Sequence, residues 1–174
     1  MMEIDHEINE SGEPASGLRL PLEQLDGFEK ALLDLFANAR REVCIFSHQL
    51  DRDLYHRQAV VEAVSQFARR SRNTRVRILI RDSEPMLRQH HRLLPLIQRL
   101  ASHIELKKLQ PTPHTPSNEF VIGDDRLSLL REDREQWLGF YHVDDRVRVR
   151  QLRDAFEEDW PLAVRDASLR RLVV

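Results

Sequence analysis

Residues 42–47 read "EVCIFS", and the apolar side chains fall on both faces of an extended chain, Val43 and Ile45 on one and Cys44 and Phe46 on the other. A strand that is apolar on both faces has to be covered on both sides. It therefore belongs in the middle of a sheet with helices packed above and below. The flanking sequence offers such helices. "LRLPLEQLDGFEKALLDLFANAR", residues 18–40, is read as a helix with Leu25, Phe28, Leu32, Leu35 and Phe36 on one stripe. Arg40 and Arg41 follow it, where cations favour the negative end of the helix dipole. After the polar loop "HQLDRDLYHRQ", a second helix presents Val60, Ala63, Val64 and Phe67. "RVRILI" is the next strand, with Arg75 and Arg77 leaving its early half exposed on one face.

The rest of the chain continues the alternation. "EPMLRQHHRLLPLIQRLAS" has a helical pattern that aligns Met86, His90, Leu93, Ile97 and Leu100, with Pro95 either kinking it or opening a second helix. "IELKKL" alternates as a half-exposed strand, and "QPTPHTPS" is a proline-broken loop. "NEFVIGDDRLSLLRED", residues 118–133, reads as a β-hairpin with "GDD" at its turn and Phe120 and Ile122 packing inward. "WLGFYHV" is a further strand, and a last helix from about Asp145 uses Val149, Leu152, Phe156 and Trp160 as its inner face. The expected fold is α/β, a mixed β-sheet flanked by helices, in one domain over residues 18–174. Residues 1–17 are acidic, lack an apolar period and are expected to form a disordered arm. They can be deleted, on this reading, without loss of folding.

Composition excludes several classes. The 174 residues carry a net charge of −2, so no global basic field draws the chain to nucleic acid. Cys44 is the only cysteine, which rules out an intramolecular disulfide and any Cys-rich zinc site, and its apolar run makes it a core residue. No apolar run reaches the length of a membrane span, and the N-terminus lacks the pattern of a signal peptide. A cytoplasmic protein with no membrane association is expected. No His, Asp or Glu pair has a metal-ligand spacing, and phosphate-loop, dinucleotide and nucleophile-elbow motifs are absent, so no cofactor is expected.

Ligands of open α/β sheets bind beyond the carboxyl ends of the parallel strands. The polar groups expected to converge there are Ser47, His48, Gln49, Asp51, Arg81, Asp82, Asn118 and Glu119. His48 directly follows a buried strand and is the best general-base candidate; Asp51, His90 and Asp125 complete the catalytic candidates. His90 also lies on the apolar stripe of its helix, which fits a core histidine, while its neighbour His91 is read as solvated. The arginine run "RRSRNTRVR", Arg69 to Arg77, could grip phosphates, but it lies at the other end of its strand and is read as a solvated face paired with neighbouring acids.

The element order and the hairpin resemble half of a phospholipase D-like domain. The signature of that superfamily is His-x-Lys, four residues, then Asp, followed by Gly-Ser-x-Asn; the resemblance implies a phosphohistidine nucleophile with Lys and Asn on the phosphate. If Asp125 is the aspartate, Asn118 and Phe120 stand for His and Lys; if Asp124 is, Ser117 and Glu119 do. "GFYH", Gly139 to His142, stands for Gly-Ser-x-Asn, and "LRDAFEEDW" is similar to the Phe-x-x-x-Trp helix that closes such domains. More closely, "VCIFSHQLD", "RVRILIRD", "HRLLPLIQRLASHIEL", "EFVIGDDRLSLLR" and "FEEDW" resemble an uncharacterised bacterial family of phospholipase D-like domains found alone or behind an N-acetyltransferase domain. The resemblance implies a half-domain with a degenerate site, acting as a non-catalytic binding or interaction module. An N-acetyltransferase is a partner it suggests, and a homodimer with Trp137 or Tyr141 near its interface is expected. The alternatives are a divergent hydrolase or phosphodiesterase using His48, His90 and Asp51, and a nucleic-acid-binding domain using the Arg69–Arg77 surface.

Overall fold

A computed structural model describes residues 17–114 and 116–170. The chain runs β1 (Leu18–Leu22), α1 (Leu25–Asn38), β2 (Glu42–Phe46), α2 (Arg52–Tyr55), α3 (Gln58–Arg69), β3 (Arg75–Ile80), α4 (Glu84–Arg88), α5 (Leu93–Arg99), β4 (Ile104–Lys108), β5 (Glu119–Gly123), β6 (Leu127–Arg131), β7 (Gly139–Val143) and α6 (Arg146–Asp159). Two short 3-10 turns, Trp160–Leu162 and Ala167–Arg170, follow. Seven strands form one mixed sheet in the order β1-β7-β6-β5-β2-β3-β4. β2, β3 and β4 are parallel, while the pairs β2–β5, β5–β6, β6–β7 and β7–β1 are antiparallel.

β2 is central, and its two faces enter two separate cores. Val43 and Ile45 join the larger core under α1, α3 and α5, with Phe28, Leu32, Phe67, Ile78, Val121 and Leu129. Cys44 and Phe46 face α6, with Leu79, Phe120, Ile122, Val149 and Phe156. Burial and the adjacent Glu42 carboxylate push the Cys44 thiol up to about 12, so it serves as an inert core residue.

Four expectations need correction. Residues 18–22 form an edge strand, β1, where a helix was expected. Leu18, Leu20 and Leu22 alternate with Arg19 and Pro21, and a proline, which lacks an N–H, is tolerated on a sheet edge more readily than inside a helix. β1 covers the β7 edge that was to pair two copies of the chain, and Tyr141 is buried with its hydroxyl donated to Asp34 Oδ2 at 2.6 Å. A dimer contact at Tyr141 therefore has no surface to use. Arg77 is buried where exposure was expected. It bridges Glu42, at 3.0 Å, and Glu157, and lies 5.0 Å from the Phe156 ring centroid and 5.4 Å from that of Trp160. Finally, the helix over residues 84–102 is two helices broken at His90, whose φ of 48° exits the helical region. The break exposes His90 and turns His91 inward, so the expected roles of the two histidines are exchanged. The arm expected over residues 1–17 lies, apart from Gly17, outside the described residues. Among those described, no helix is long and apolar enough to cross a membrane.

Candidate functional site at the strand ends

The carboxyl end of β2, the loop after β3, the start of β5 and the end of β6 meet on one rim of the sheet. Its centre is a charged pair set by hairpin register: Glu119 on β5 is directly opposite Arg131 on β6. Both side chains share the strand phase of Val121 and Leu129, which turns them toward the core, and both are buried. Arg131 Nη1 donates to Glu119 Oε1 at 3.0 Å and to Asp51 Oδ2 at 3.2 Å. Its remaining nitrogens donate to the carbonyls of Gln136 (2.8 Å) and Arg134 (2.6 Å), and its guanidinium lies 3.6 Å from the Trp137 ring centroid. The other carboxylate oxygen of Glu119 accepts the Ser47 hydroxyl at 2.5 Å and the His48 backbone N–H at 2.7 Å. Ser47 Oγ in turn accepts the Leu50 N–H at 3.0 Å. Asp51 caps α2, with Oδ1 accepting from the Asp53 N–H at 3.0 Å.

Ser47, His48, Asp51 and Glu119 thus converge as the strand-end argument expects. Arg81 and Asp82 are tied to the same loop by backbone bonds from their N–H groups to the His48 carbonyl, at 2.9 and 2.8 Å. The Arg81 guanidinium, however, turns away from the pair; it lies 4.4 Å from the Phe46 ring centroid and donates to the Pro116 carbonyl at 2.7 Å. The Asp82 carboxylate is spent on the Glu84 N–H at 3.0 Å. Gln49 and Asn118 flank the rim and are partly exposed. His90 and Asp125 stand apart. His90 is exposed in the α4–α5 break, and Asp125 lies in the β5–β6 turn at the opposite end of the sheet, 3.8 Å from Arg146. The neighbouring Asp124 is the anchored one, its carboxylate accepting the N–H groups of Arg40 (2.8 Å), Arg41 (2.8 Å) and Glu42 (3.1 Å). Asp125 is separated from His48 by the whole length of β5.

Sequence reasoning missed Arg131 and Arg134. A signal was present: a turn that pairs Gly123 with Leu127 also pairs Glu119 with Arg131, and each lies in phase with inward-facing residues. Two opposite charges on the inner face of one hairpin imply a buried pair.

The arrangement is rich in hydrogen-bond donors. Arg134 Nη1 sits 2.6 Å from His48 Nδ1, and because a guanidinium has only donors, Nδ1 is the acceptor and the neutral ring carries its proton on Nε2. Burial and the Arg134 charge hold the His48 pKa below its ordinary value, which keeps that form dominant at neutral pH. The free edge of His48 is then an N–H donor. Glu119 already accepts from three donors, and Ser47 is almost wholly buried. Among the described residues, no three His, Cys, Asp or Glu side chains come together to hold a metal ion.

The rim loop is held from behind by His91. Its Nε2–H donates to the carbonyl of Leu50 at 3.1 Å, while Nδ1 accepts the Leu93 N–H at 3.2 Å. Leu50 itself has a φ of 54°, a left-handed conformation that a branched side chain adopts only under constraint. Burial depresses the His91 pKa from 6.5 to about 4. The unfolded chain therefore binds this proton more readily than the folded one. Stability contributed here is complete above pH 6.5 and is lost as pH falls toward 4, by up to about 3 kcal/mol. Thermal unfolding of the protein between pH 4 and 7 is expected to show that slope, and His91→Gln is expected to lower stability at pH 7 while flattening it. An equally steep slope in the variant would assign the loss elsewhere.

No curated protein matches the chain in sequence. Solved structures do match it in fold. TrmBL2, described as an archaeal chromatin protein with a novel mode of DNA binding, superposes with a TM-score of 0.64 at 12% identity, over 85% of this chain and 54% of its own. The chain thus spans about half the length of TrmBL2. NucT from Helicobacter pylori gives 0.57 at 12% identity, over 86% of this chain and 98% of its own. Nuc from Salmonella typhimurium, a phospholipase D family member, gives 0.56 at 11% identity, over 76% and 86%. At these identities the likeness establishes the phospholipase D-like fold and no more. In sequence, a single family model spans nearly the whole domain, residues 24–172, and the chain belongs to the family it describes, "Domain of unknown function (DUF7931)".

Proposed function

We propose that this chain is a non-catalytic phospholipase D-like module that binds a ligand at the strand-end rim. The observation that carries the reading is the occupancy of the signature positions. Asp124, anchored to three backbone N–H groups, is the aspartate whose surroundings fit a structural role. Counting back from it places Ser117 where the superfamily has its histidine and Glu119 where it has its lysine. A carboxylate in the lysine position repels a phosphate where a cation would stabilise the developing charge, and a serine stands where the resemblance implies a histidine nucleophile. What the rim retains is His48 Nε2–H, the outer nitrogens of Arg134 and the Asn118 amide, which are suited to recognition.

Incubation with bis(p-nitrophenyl) phosphate is expected to give no turnover above buffer. Turnover lost in His48→Ala would support a divergent site and overturn the reading. Turnover lost in Asp125→Ala would instead support the other motif register.

A nucleic-acid-binding reading is favoured by the likeness to TrmBL2, so the expectation that nucleic acid is not a partner loses its support. It requires a basic surface. The rim, where Arg131 is matched by Glu119 and Asp51, does not supply one.

A further inference from the structure

The opposite end of the sheet carries an arginine surface of a different kind. Arg40 and Arg41 link α1 to β2, Arg69, Arg70 and Arg72 lie between the end of α3 and β3, and Arg75 opens β3; all six are exposed. They form one surface because the two segments are joined: the Arg75 N–H donates to the Arg41 carbonyl at 3.0 Å, and β2 and β3 run side by side from Glu42 and Arg75. Sequence reading assigned this run to pairing with neighbouring acids. The structure spends those acids elsewhere. Asp124 is consumed by backbone N–H groups, and Glu42 lies between Arg77 (3.0 Å) and Arg153 (2.8 Å). Burial opposes ionisation of Glu42, but the hydrogen bonds from these two arginines prevail and hold its carboxyl below the usual range.

The other task for cations at this end is to offset helix C-termini, since α1 and α3 both stop here. Arg70 does this for α1, donating to the carbonyls of Ala39 (2.5 Å) and Phe36 (3.3 Å). Two helix ends carry together about one negative charge. Five further guanidiniums remain, on Arg40, Arg41, Arg69, Arg72 and Arg75, and among the described residues none of them pairs with a carboxylate. The overall charge of −2 conceals this, because five acidic and no basic residues lie in the first sixteen; the rest of the chain carries 27 basic side chains against 24 acidic ones.

We propose that this arginine face binds the phosphate backbone of duplex DNA, independently of the strand-end rim. A duplex presents about one negative charge per 1.7 Å of axis, so several phosphates fit against one patch of this kind. Every cation on the face is an arginine, whose planar fork suits phosphate oxygens. Neither segment exposes an aromatic ring, which disfavours single strands held by base stacking. Nor does either expose a large apolar side chain for insertion into a membrane.

Fluorescence anisotropy of the full chain with a labelled duplex of about 20 base pairs tests the assignment. If most of the five arginines contact a phosphate, log affinity is expected to fall with log salt at a slope of roughly −4, a loss of about a hundredfold or more from 50 to 200 mM. The variant Arg41→Gln/Arg72→Gln/Arg75→Gln is expected to bind at least tenfold more weakly at low salt and to bring the slope to roughly −2 or shallower. Arg88→Gln/Arg165→Gln, which removes two exposed charges away from this face, is expected to bind as the unaltered protein does. Each variant's melting temperature is compared first, so that loss of binding is read only on folded protein. Absent duplex binding by the unaltered chain at low salt, equal losses in both variants, or binding to phosphatidylserine vesicles in preference to the duplex would each overturn the proposal.

Discussion

Arg131→Met is expected to lower the folding free energy by about 3–5 kcal/mol, because it leaves the Glu119 carboxyl group buried without its cation. In a domain whose whole stability lies near 5–15 kcal/mol, that places the variant close to unfolding. The loss has three sources. The ion pair goes, the carbonyls of Arg134 and Gln136 lose their donor, and the Trp137 ring loses the guanidinium stacked on it. Urea unfolding measures it as a fall in the midpoint at an unchanged slope. The double variant Glu119→Leu/Arg131→Met is expected to regain only part of the loss: the uncompensated charge is gone, but the Ser47 hydroxyl and the His48 N–H lose their acceptor. A single-variant loss below about 1 kcal/mol would mean that water reaches the pair and that the rim is more open than its burial indicates.

Gly139→Ala is expected to be as damaging, by a different route. A Cβ at this position would stand 1.8 Å from the Leu130 carbonyl oxygen, a backbone atom that cannot swing aside. Gly139 is paired on both sides, to Arg131 on β6 and to Leu22 on β1, so relief requires β7 to leave at least one neighbour. A loss of about 4 kcal/mol or more is expected, the range reserved for backbone clashes in a packed sheet. Because the same movement displaces the loop that receives the Arg131 hydrogen bonds, the rim should suffer with the sheet. A nuclear magnetic resonance spectrum of any folded Gly139→Ala protein is expected to show shifts at His48 and Trp137. A soluble variant with an unchanged spectrum and midpoint would show that the β6–β7 ladder relaxes more easily than its spacing allows.

The parts of the fold that the sequence disclosed are those where local pattern and tertiary burial agree. β2 was legible because both of its faces are apolar, the hairpin because a turn signal separates two alternating runs, and α6 because Val149 and Phe156 repeat at helical spacing. β1 was not legible because its leucines also fit the stripe of the helix that follows; Pro21 was the local sign against it. The exchange of His90 and His91 follows from one residue with positive φ, which rotates everything after it and which no periodicity announces. At the rim, Ser47, His48 and Glu119 were located by strand topology alone. The tie between Asp124 and residues 40–42 joins segments more than eighty positions apart, and only the folded chain distinguishes it from Asp125.

The pairing of the first strand with the last has a consequence for the order in which the domain is made. In a chain emerging from a ribosome, Leu18–Leu22 appears well before its partner strand, Gly139–Val143. Until then the parallel core of β2, β3 and β4 can assemble, but the opening residues have nothing to dock against. Contacts this distant in sequence are formed late, since the intervening loop must be closed before any of their energy is returned. The sheet is therefore completed only once β7 has been made, and any stall in translation before that point leaves Leu18–Leu22 without its pairing partner.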